Sequence, residues 1–532
     1  MALSPTLQSA PSFDILPPEL KQEIFSYLDG DDASLFAAIQ VSKVFHNCCI
    51  GMLWRRSAER RLAKVSTRER RQYYANMIYR WEVDDPVTWE SWDWPGKPSW
   101  ELCDGLSFPL LKDLSISGGF LSPMQLRRCL QAGLHTLRCV QCKLDAAMLQ
   151  AMATCCMQVQ RLVISNPDTR RVTPEQFVTF LQSLPSLRRL ELEEIEGKIM
   201  NRVLDWEGSS IAQLEDLSLN DCRSSARGVP FRNTFLKHCT GLRKLYMQAD
   251  GLSAGVLNQL SNYPLLEVLH VEDWLVDDEQ LQPRFIGRSP LPSIKDLSIC
   301  GMVSTIEPLL SSLPPTLVSL DLDITDNSYS ILPTISRLSN LIHLKIFFDG
   351  YREFSRTDLD LISKLSSLQK CHLDWGGPLP RRYGSESSND CPWLTDKYFR
   401  CWISKLPRLQ DLFLALDSAT ITHSSLESLA DSCPSLSKCH LMWEHDLNTW
   451  TGLRAPLFPK LEVLHLGKVK DHGYEGSQET IDAMASRDVK VIRSLAPNLK
   501  SFFMSHSSVS NYRLNVLPPY EKALKNAFYT GI

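Results

Sequence analysis

Two short segments hold the residue types most able to do chemistry. Lys370-Cys371-His372-Leu373-Asp374-Trp375 and Lys438-Cys439-His440-Leu441-Met442-Trp443 share the form Lys-Cys-His-Leu-x-Trp, and cysteine beside histidine raises the question of zinc. In an extended segment neighbouring side chains point to opposite faces, so the Cys and His of one copy cannot converge on one ion. Another extended segment at 409–414 lies between the copies, which places His372 and His440 about 10 Å apart at ordinary strand spacing. Cys139-x-x-Cys142 lacks a second pair at ligand spacing, and Cys48-Cys49 and Cys155-Cys156 are adjacent rather than chelating. The sequence also lacks a phosphate-cradling Gly-rich loop, a Gly-x-Ser-x-Gly elbow and a His-Glu-x-x-His helix. The expectation is a chain with no metal, no cofactor and no catalytic residues, whose chemistry is binding.

A repeat positions these residues. Leu-x-x-Leu-x-Leu recurs with substitutions, as in Leu187-Leu190-Leu192, Leu214-Leu217-Leu219, Leu266-Leu269-Val271 and Leu409-Leu412-Leu414. Counting a weaker copy at Leu134-Leu137-Cys139 there are fifteen, from Leu111 to Met504, mostly 23 to 28 residues apart. That period is the leucine-rich-repeat range. The last two apolar positions of each copy point the same way from a strand, and the residue between them points to the other side. The remainder of each repeat, such as 174–184 or 396–406, has helical apolar spacing and carries the chain back to the next strand. The fold class is therefore α/β, a leucine-rich-repeat solenoid (horseshoe) with its sheet on the concave face, preceded by a small all-α three-helix segment. Asparagine is mostly missing after the strands, with only Asn220 near that place, which marks a diverged array. Two intervals are long, 368–409 and 461–499, and a binding element is expected in the first.

The strand residues facing away from the core form the expected substrate surface: Arg189, Glu191 and Glu193, then Tyr246, His270, Glu272, Asp321, Asp323, Lys345, Phe347, His372, Asp374, Phe413 and His440. Aromatic and histidine character rises toward the C-terminal half, so Tyr246, His270, Phe347, His372, Asp374, Phe413 and His440 are the candidate substrate-binding residues. Basic residues on this face, such as Arg189, Lys244 and Lys345, are scattered, whereas a phosphate reader would gather them.

At the N-terminus, Pro17 and Pro18 can open a helix whose Leu20, Ile24 and Leu28 fall at i, i+4 and i+8. Asp29-Gly30-Asp31-Asp32 breaks it and can cap a second helix with Leu35, Phe36 and Ile39. A third apolar run extends from Val41 to Trp54. Three helices in so few residues make a marginal core that a partner or the rest of the chain must complete.

This segment resembles the F-box. Leu16-Pro17-x-Glu19-Leu20, Ile24-Phe25-Ser26-Tyr27-Leu28, Val41-Ser42-Lys43-x-Phe45 and Leu53-Trp54-Arg55 follow family order and spacing, with one departure at Asp32-Ala33-Ser34-Leu35, where the family commonly has an Asp-Leu pair. The resemblance implies docking onto the Skp-family adaptor of a cullin-RING ubiquitin ligase, with Leu16, Pro17, Leu20, Ile24 and Leu28 carried over as adaptor contacts. It implies a non-catalytic substrate-recognition subunit that holds an unknown substrate protein on the repeats. The alternatives are a scaffold, or a repeat-protein inhibitor, acting without ubiquitin transfer.

The expected organisation is a tail over 1–11, the F-box over 12–56, a basic helix and Trp-rich cap over 57–104, the solenoid over 105–510 and a tail over 511–532. In the third segment Arg55, Arg56, Arg60, Arg61, Lys64, Arg68, Arg70 and Arg71 read as a solvated helix face, with nuclear import or an anion site as the sharper reading. Trp81, Trp89, Trp92, Trp94 and Trp100, interspersed with Pro86, Pro95 and Pro98, read as the cover of the first repeat, with an aromatic cage as the alternative.

Bulk composition agrees. A length of 532 residues and 43% hydrophobic content suit a folded repeat array, and a net charge of -4 argues against nucleic acid as partner. Met1 to Asp14 lacks the basic and apolar regions of a secretory signal, and no stretch suits a bilayer span, so no membrane is expected. Sixteen cysteines, several at core positions of the repeat, and the lack of any Asn-x-Ser/Thr sequon suggest a reducing compartment, cytoplasmic and/or nuclear.

Overall fold

The computed structural model describes residue 13 and residues 16–84, 105–118, 129–206, 211–220, 233–248, 254–275, 291–326, 331–348, 354–374, 391–416, 418, 420–470, 477–504 and 519–530. The chain folds as two units, Met1–Leu242 and Arg243–Ile532.

The first unit opens with three helices. α1 (Pro18–Ser26) begins at two prolines, which cost nothing where N–H groups have no helical partner. α2 (Asp32–Ile39) is started by Asp31, whose Oδ1 accepts a hydrogen bond from Ser34 N at 3.0 Å. α3 (Lys43–Arg55) is started by Ser42, whose Oγ accepts from Phe45 N at 3.2 Å. Such caps are worth about 1 kcal/mol each. Phe25, Leu35 and Cys49 form the bundle core. Phe13 and Phe45 join it, with ring centroids 5.5 and 5.0 Å from Phe25.

The apolar face of α1 divides in a way the i, i+4, i+8 spacing does not foretell. Lys21 and Phe25 are buried, and Leu28 packs half-buried against the same core, whereas Leu20 and Ile24 are each 45% exposed. The core-facing side therefore runs Lys21, Phe25, Leu28, and the opposite side Leu20, Ile24, Tyr27.

The strand Arg56–Ala58 follows α3 directly and pairs in parallel with Arg80–Asp84, which pairs with Asp113–Ser117. The sheet continues through Thr136–Val140, Arg161–Ser165, Arg189–Glu193 and Asp216–Asn220, all parallel. The strands thus begin before residue 105, inside the stretch expected as a basic helix and cap. Ile78, Trp81 and Val83 occupy the apolar positions of a repeat and are buried, with Trp81 stacked on Phe108 at 4.2 Å. The basic stretch is not one helix. It is divided among α3, a strand and the helices Glu59–Ala63 and Arg68–Ala75. Arg61 pairs with Asp32 at 2.5 Å, and Arg71 Nε donates to Val65 O at 3.0 Å. Trp89, Trp92, Trp94 and Trp100 lie outside the described residues.

The second unit carries the parallel strands Lys244–Gln248, Val268–Leu275, Asp296–Gly301, Ser319–Ile324, His343–Phe348, Lys370–Asp374, Asp411–Ala415, Lys438–His445, Val463–Val469 and Ser501–Met504, each paired with the next. Across both units every copy of the leucine motif lies on a strand, and its two inward residues are buried wherever they are Leu, Ile or Cys. The residue before each strand locks one repeat to the next: Gln410 N donates to Gln369 O, Ser437 N to Gln410 O and Glu462 N to Ser437 O, each at 2.8 Å. The intervening segments are helices such as Asp396–Ile403, capped by Thr395 Oγ1.

The long interval 461–499 is filled by an 18-residue helix, Gln478–Leu495. Residues 375–390, the core of the other long interval, lie outside the described residues, and so does the binding element expected there. The C-terminal stretch differs from a tail. The helix Pro519–Thr530 packs on Gln478–Leu495, where Tyr520 OH donates to buried Asp488 and Arg493 donates to Phe528 O. No described helix is long and apolar enough to cross a membrane.

Candidate functional site

Two faces of the molecule stand out by the large apolar or aromatic side chains on them. On the helical bundle, α1 turns Leu20, Ile24 and 83%-exposed Tyr27 outward, and Phe36 and Val41 are also exposed. Folding normally buries side chains of this size. Of the expected contacts, Pro17, Leu20 and Ile24 are exposed, whereas Leu16 and Leu28 are half-buried. Tyr27, Phe36 and Val41 were not among them, although Tyr27 and Val41 lie inside the F-box blocks.

The second face belongs to the sheet of the second unit. The outward residue at the middle of each strand is in register with that of the next: Tyr246 with His270, His372 with Phe413, Phe413 with His440, His440 with His465 and His465 with Phe503. The last five form an unbroken row of rings, with centroids 5.9, 5.6, 5.3 and 6.0 Å apart along it. Tyr246 and His270 form a separate edge-to-face pair at 4.8 Å. Cross-strand aromatic pairs at these distances hold one another in place and present a preformed apolar surface.

Acidic residues on neighbouring strands lie close to part of the row. His372 Nε2 lies 2.9 Å from Asp411 Oδ1, and His270 Nε2 lies 3.4 Å from Asp296 Oδ2. Next along, His440 and His465 approach through their Nδ1 atoms at 3.3 Å, which requires at least one to be a neutral acceptor. Burial, and then the neighbouring His465, bring the pKa of His440 down to about 4, and burial also lowers that of His465. At neutral pH this stretch is aromatic rather than cationic. Asp374 sits one outward position further along its strand from His372, beside Phe347 on the adjacent strand. Burial raises its pKa although Lys345 opposes the shift.

The expected substrate residues thus share one face of the second unit, but Phe347 and Asp374 occupy a different row from Tyr246, His270, His372, Phe413 and His440. His465 and Phe503 were missed, although Leu464-x-Leu466 and Phe502-x-Met504 bracket them as the motif brackets Phe413. Arg189, Glu191 and Glu193 lie on the first unit's sheet, and their charges are engaged there. Arg161 Nη2 lies 2.6 Å from Glu191 Oε1, Arg189 Nε lies 3.2 Å from Asp216 Oδ2, and Ser165 Oγ donates to Glu193 Oε2 at 2.6 Å.

Cys371 and Cys439 are free thiols buried in the core, opposite His372 and His440. Burial pushes the pKa of Cys371 up to about 12, so it is inert as a nucleophile or ligand at neutral pH. Among the described residues no three His, Cys, Asp or Glu side chains are grouped to hold a metal ion.

The helical bundle and the parallel sheets are an F-box-like domain followed by leucine-rich repeats. Residues 13–60 match the F-box-like family model. No curated protein matches the sequence. Among solved structures, the chain is similar to an internalin, inlF, from Listeria monocytogenes, at 14% identity and a TM-score of 0.32, over 92% of this chain and 98% of that one. It is also similar to a chain of the yeast Rad7 and Elc1 complex, at 14% identity and a TM-score of 0.36, over 72% of this chain and 78% of that one.

Proposed function

We propose that this protein is a non-catalytic substrate receptor of a cullin-RING ubiquitin ligase, with the F-box-like domain docking a Skp-family adaptor and the sheet face of the second unit holding the substrate. The observation that carries the reading is the division of α1. One side, through Phe25, builds the bundle core, while the other leaves Leu20 and Ile24 each 45% exposed on a domain of the F-box-like family. Of the five contacts that the resemblance implies, Pro17, Leu20 and Ile24 would bury their surface against the adaptor. Leu16 and Leu28 would act by setting the position of α1.

The protein's chemistry is then proximity. Holding a substrate near a ligase active site raises its effective concentration there without a catalytic group of this chain's own. The ring row supports the substrate role, since half-buried, mutually packed rings lose little side-chain freedom on binding.

The test is calorimetric titration of a Skp-family adaptor into the intact chain and into Leu20→Asp/Ile24→Asp. Both positions are exposed, so the double variant should keep its melting temperature and lose adaptor binding. An intact chain that fails to bind the adaptor, or a double variant that binds unchanged, would contradict the proposal.

A further inference from the structure

The helical side of the second unit holds a cleft of about 350 Å³, at the small end of the range that takes small molecules. Three segments build it. The helix Asp396–Ile403 supplies Arg400, and the helix Ser424–Ser432, which packs beside it, supplies Glu427, Ser428 and Asp431. Residues three and four apart on a helix are surface neighbours, so Glu427 and Ser428 both lie beside Asp431 on one side of that helix. Arg454 and Leu457 come from the segment after the turn Leu447–Gly452.

The cleft is built from held groups, yet one charge of each sign on it is unmatched among the described residues. Leu457 is buried, and its N–H donates to Leu495 O at 2.9 Å. Arg454 Nη2 lies 2.9 Å from Asp431 Oδ1. Arg400 Nε donates to Oγ of buried Ser428 at 3.0 Å, and that hydroxyl donates in turn to Ser424 O at 3.0 Å. The two Nη groups of Arg400 have no hydrogen bond or ion pair among the described residues, and neither has the half-buried carboxylate of Glu427. The charged lining thus has two guanidinium groups and two carboxylates. Such a balance disfavours a lone phosphate, which Glu427 and Asp431 repel, and a lone metal ion, which Arg400 and Arg454 repel. It suits a ligand that carries both charges.

We propose that this cleft binds a free α-amino acid. The ligand's carboxylate accepts from the Nη groups of Arg400, its ammonium donates to Glu427, and its side chain lies against Leu457. A guanidinium takes a carboxylate through two parallel bonds, and such charge-assisted bonds are about twice as strong as neutral ones. Ser428 already fixes the Arg400 side chain, so less rotamer freedom is lost on binding. The site is separate from the ring row, and the proposal does not depend on the ligase reading.

The experiment is calorimetric titration of individual amino acids into the intact chain, followed by the N-acetyl and carboxamide derivatives of any that bind. Saturable binding of an amino acid is expected, and each derivative, lacking one of the two charges, should bind about tenfold more weakly. Glu427→Gln and Arg400→Gln should each weaken the free amino acid by about the same factor, with the melting temperature of the unliganded variants as the control for folding. Glu427 gives up no partner in the variant, so it carries the test if Arg400→Gln unfolds. Absence of binding by every amino acid would overturn the proposal. A derivative that binds as tightly as its parent would also overturn it, by making the cleft a site for one charge alone, and so would undiminished binding to Glu427→Gln.

Discussion

The sheets of the two units are built on one plan and present opposite surfaces. Both bury the paired apolar residues of a leucine motif, such as Leu190 and Leu192 in the first unit and Leu412 and Leu414 in the second. On the first unit's outward side Arg161 meets Glu191 and Arg189 meets Asp216, so its charges are met within the sheet. On the second unit's, tilted and edge-to-face rings run in contact from His372 to Phe503. The core rule fixes which residues face out and leaves their identity free, so one scaffold can carry an outward side of paired charges and another of packed rings.

The largest effects should be common to both units, because they arise on the shared inner side. Leu190→Ala and Leu412→Ala each remove a fully buried side chain and should cost about 2–5 kcal/mol in denaturant unfolding. A much smaller loss at either position would break the equivalence of the two cores.

Acid sensitivity should report on the second unit. Burial lowers the pKa of His445 to about 4, against about 6.5 in an unfolded chain. As pH falls the unfolded state takes up the proton first. This group's contribution to stability is therefore complete above about pH 6.5, declines toward about pH 4 and is level below, with a total on the order of 3 kcal/mol. Thermal melts across that range should show the decline, and His445→Gln should reduce it by this group's share, since His440 and His465 are also depressed by burial. An unchanged slope in the variant would mean that His445 titrates normally in the folded protein.

Smaller effects separate the two outward faces. A double-mutant cycle on Phe413 and His440 should give a coupling of about 0.5–1.5 kcal/mol, typical of aromatic pairs. The equivalent cycle on Arg161 and Glu191, both more than a third exposed, should give about 0.2–1 kcal/mol that fades in high salt. A salt-independent coupling in the first unit would show that its charges are more desolvated than their exposure indicates.

Much of this was legible in the sequence because the leucine period is a direct image of the repeat. Each motif copy became a strand, and the rule that the residue between two inward positions faces out placed Phe413 and His440 correctly. The same rule places His465 and Phe503 outward, since Leu464 with Leu466 and Phe502 with Met504 bracket them. The strand Arg80–Asp84 was missed because Trp81 stands where Leu is usual, and a tryptophan near other tryptophans reads as a cap. Helical spacing could not show which side of α1 would be outward. Leu20, Ile24 and Leu28 recur at i+4 and drift around the helix, while Phe25 packs with Phe13 and Phe45 from elsewhere in the chain. The pairing of His372 with Asp411 depends on strand register, which the irregular repeat length hides until the motif copies are aligned.

Ubiquitin transfer to a bound partner in a reconstituted cullin-RING ligase tests the whole account most directly, with the surfaces disrupted one at a time. Transfer should be lost with Leu20→Asp/Ile24→Asp, lost with Phe413→Ala/His440→Ala, and retained with Arg189→Ala/Glu191→Ala. Transfer that survives loss of the ring pair but fails with the Arg189 and Glu191 changes would contradict it, and would place recognition on the first unit's sheet.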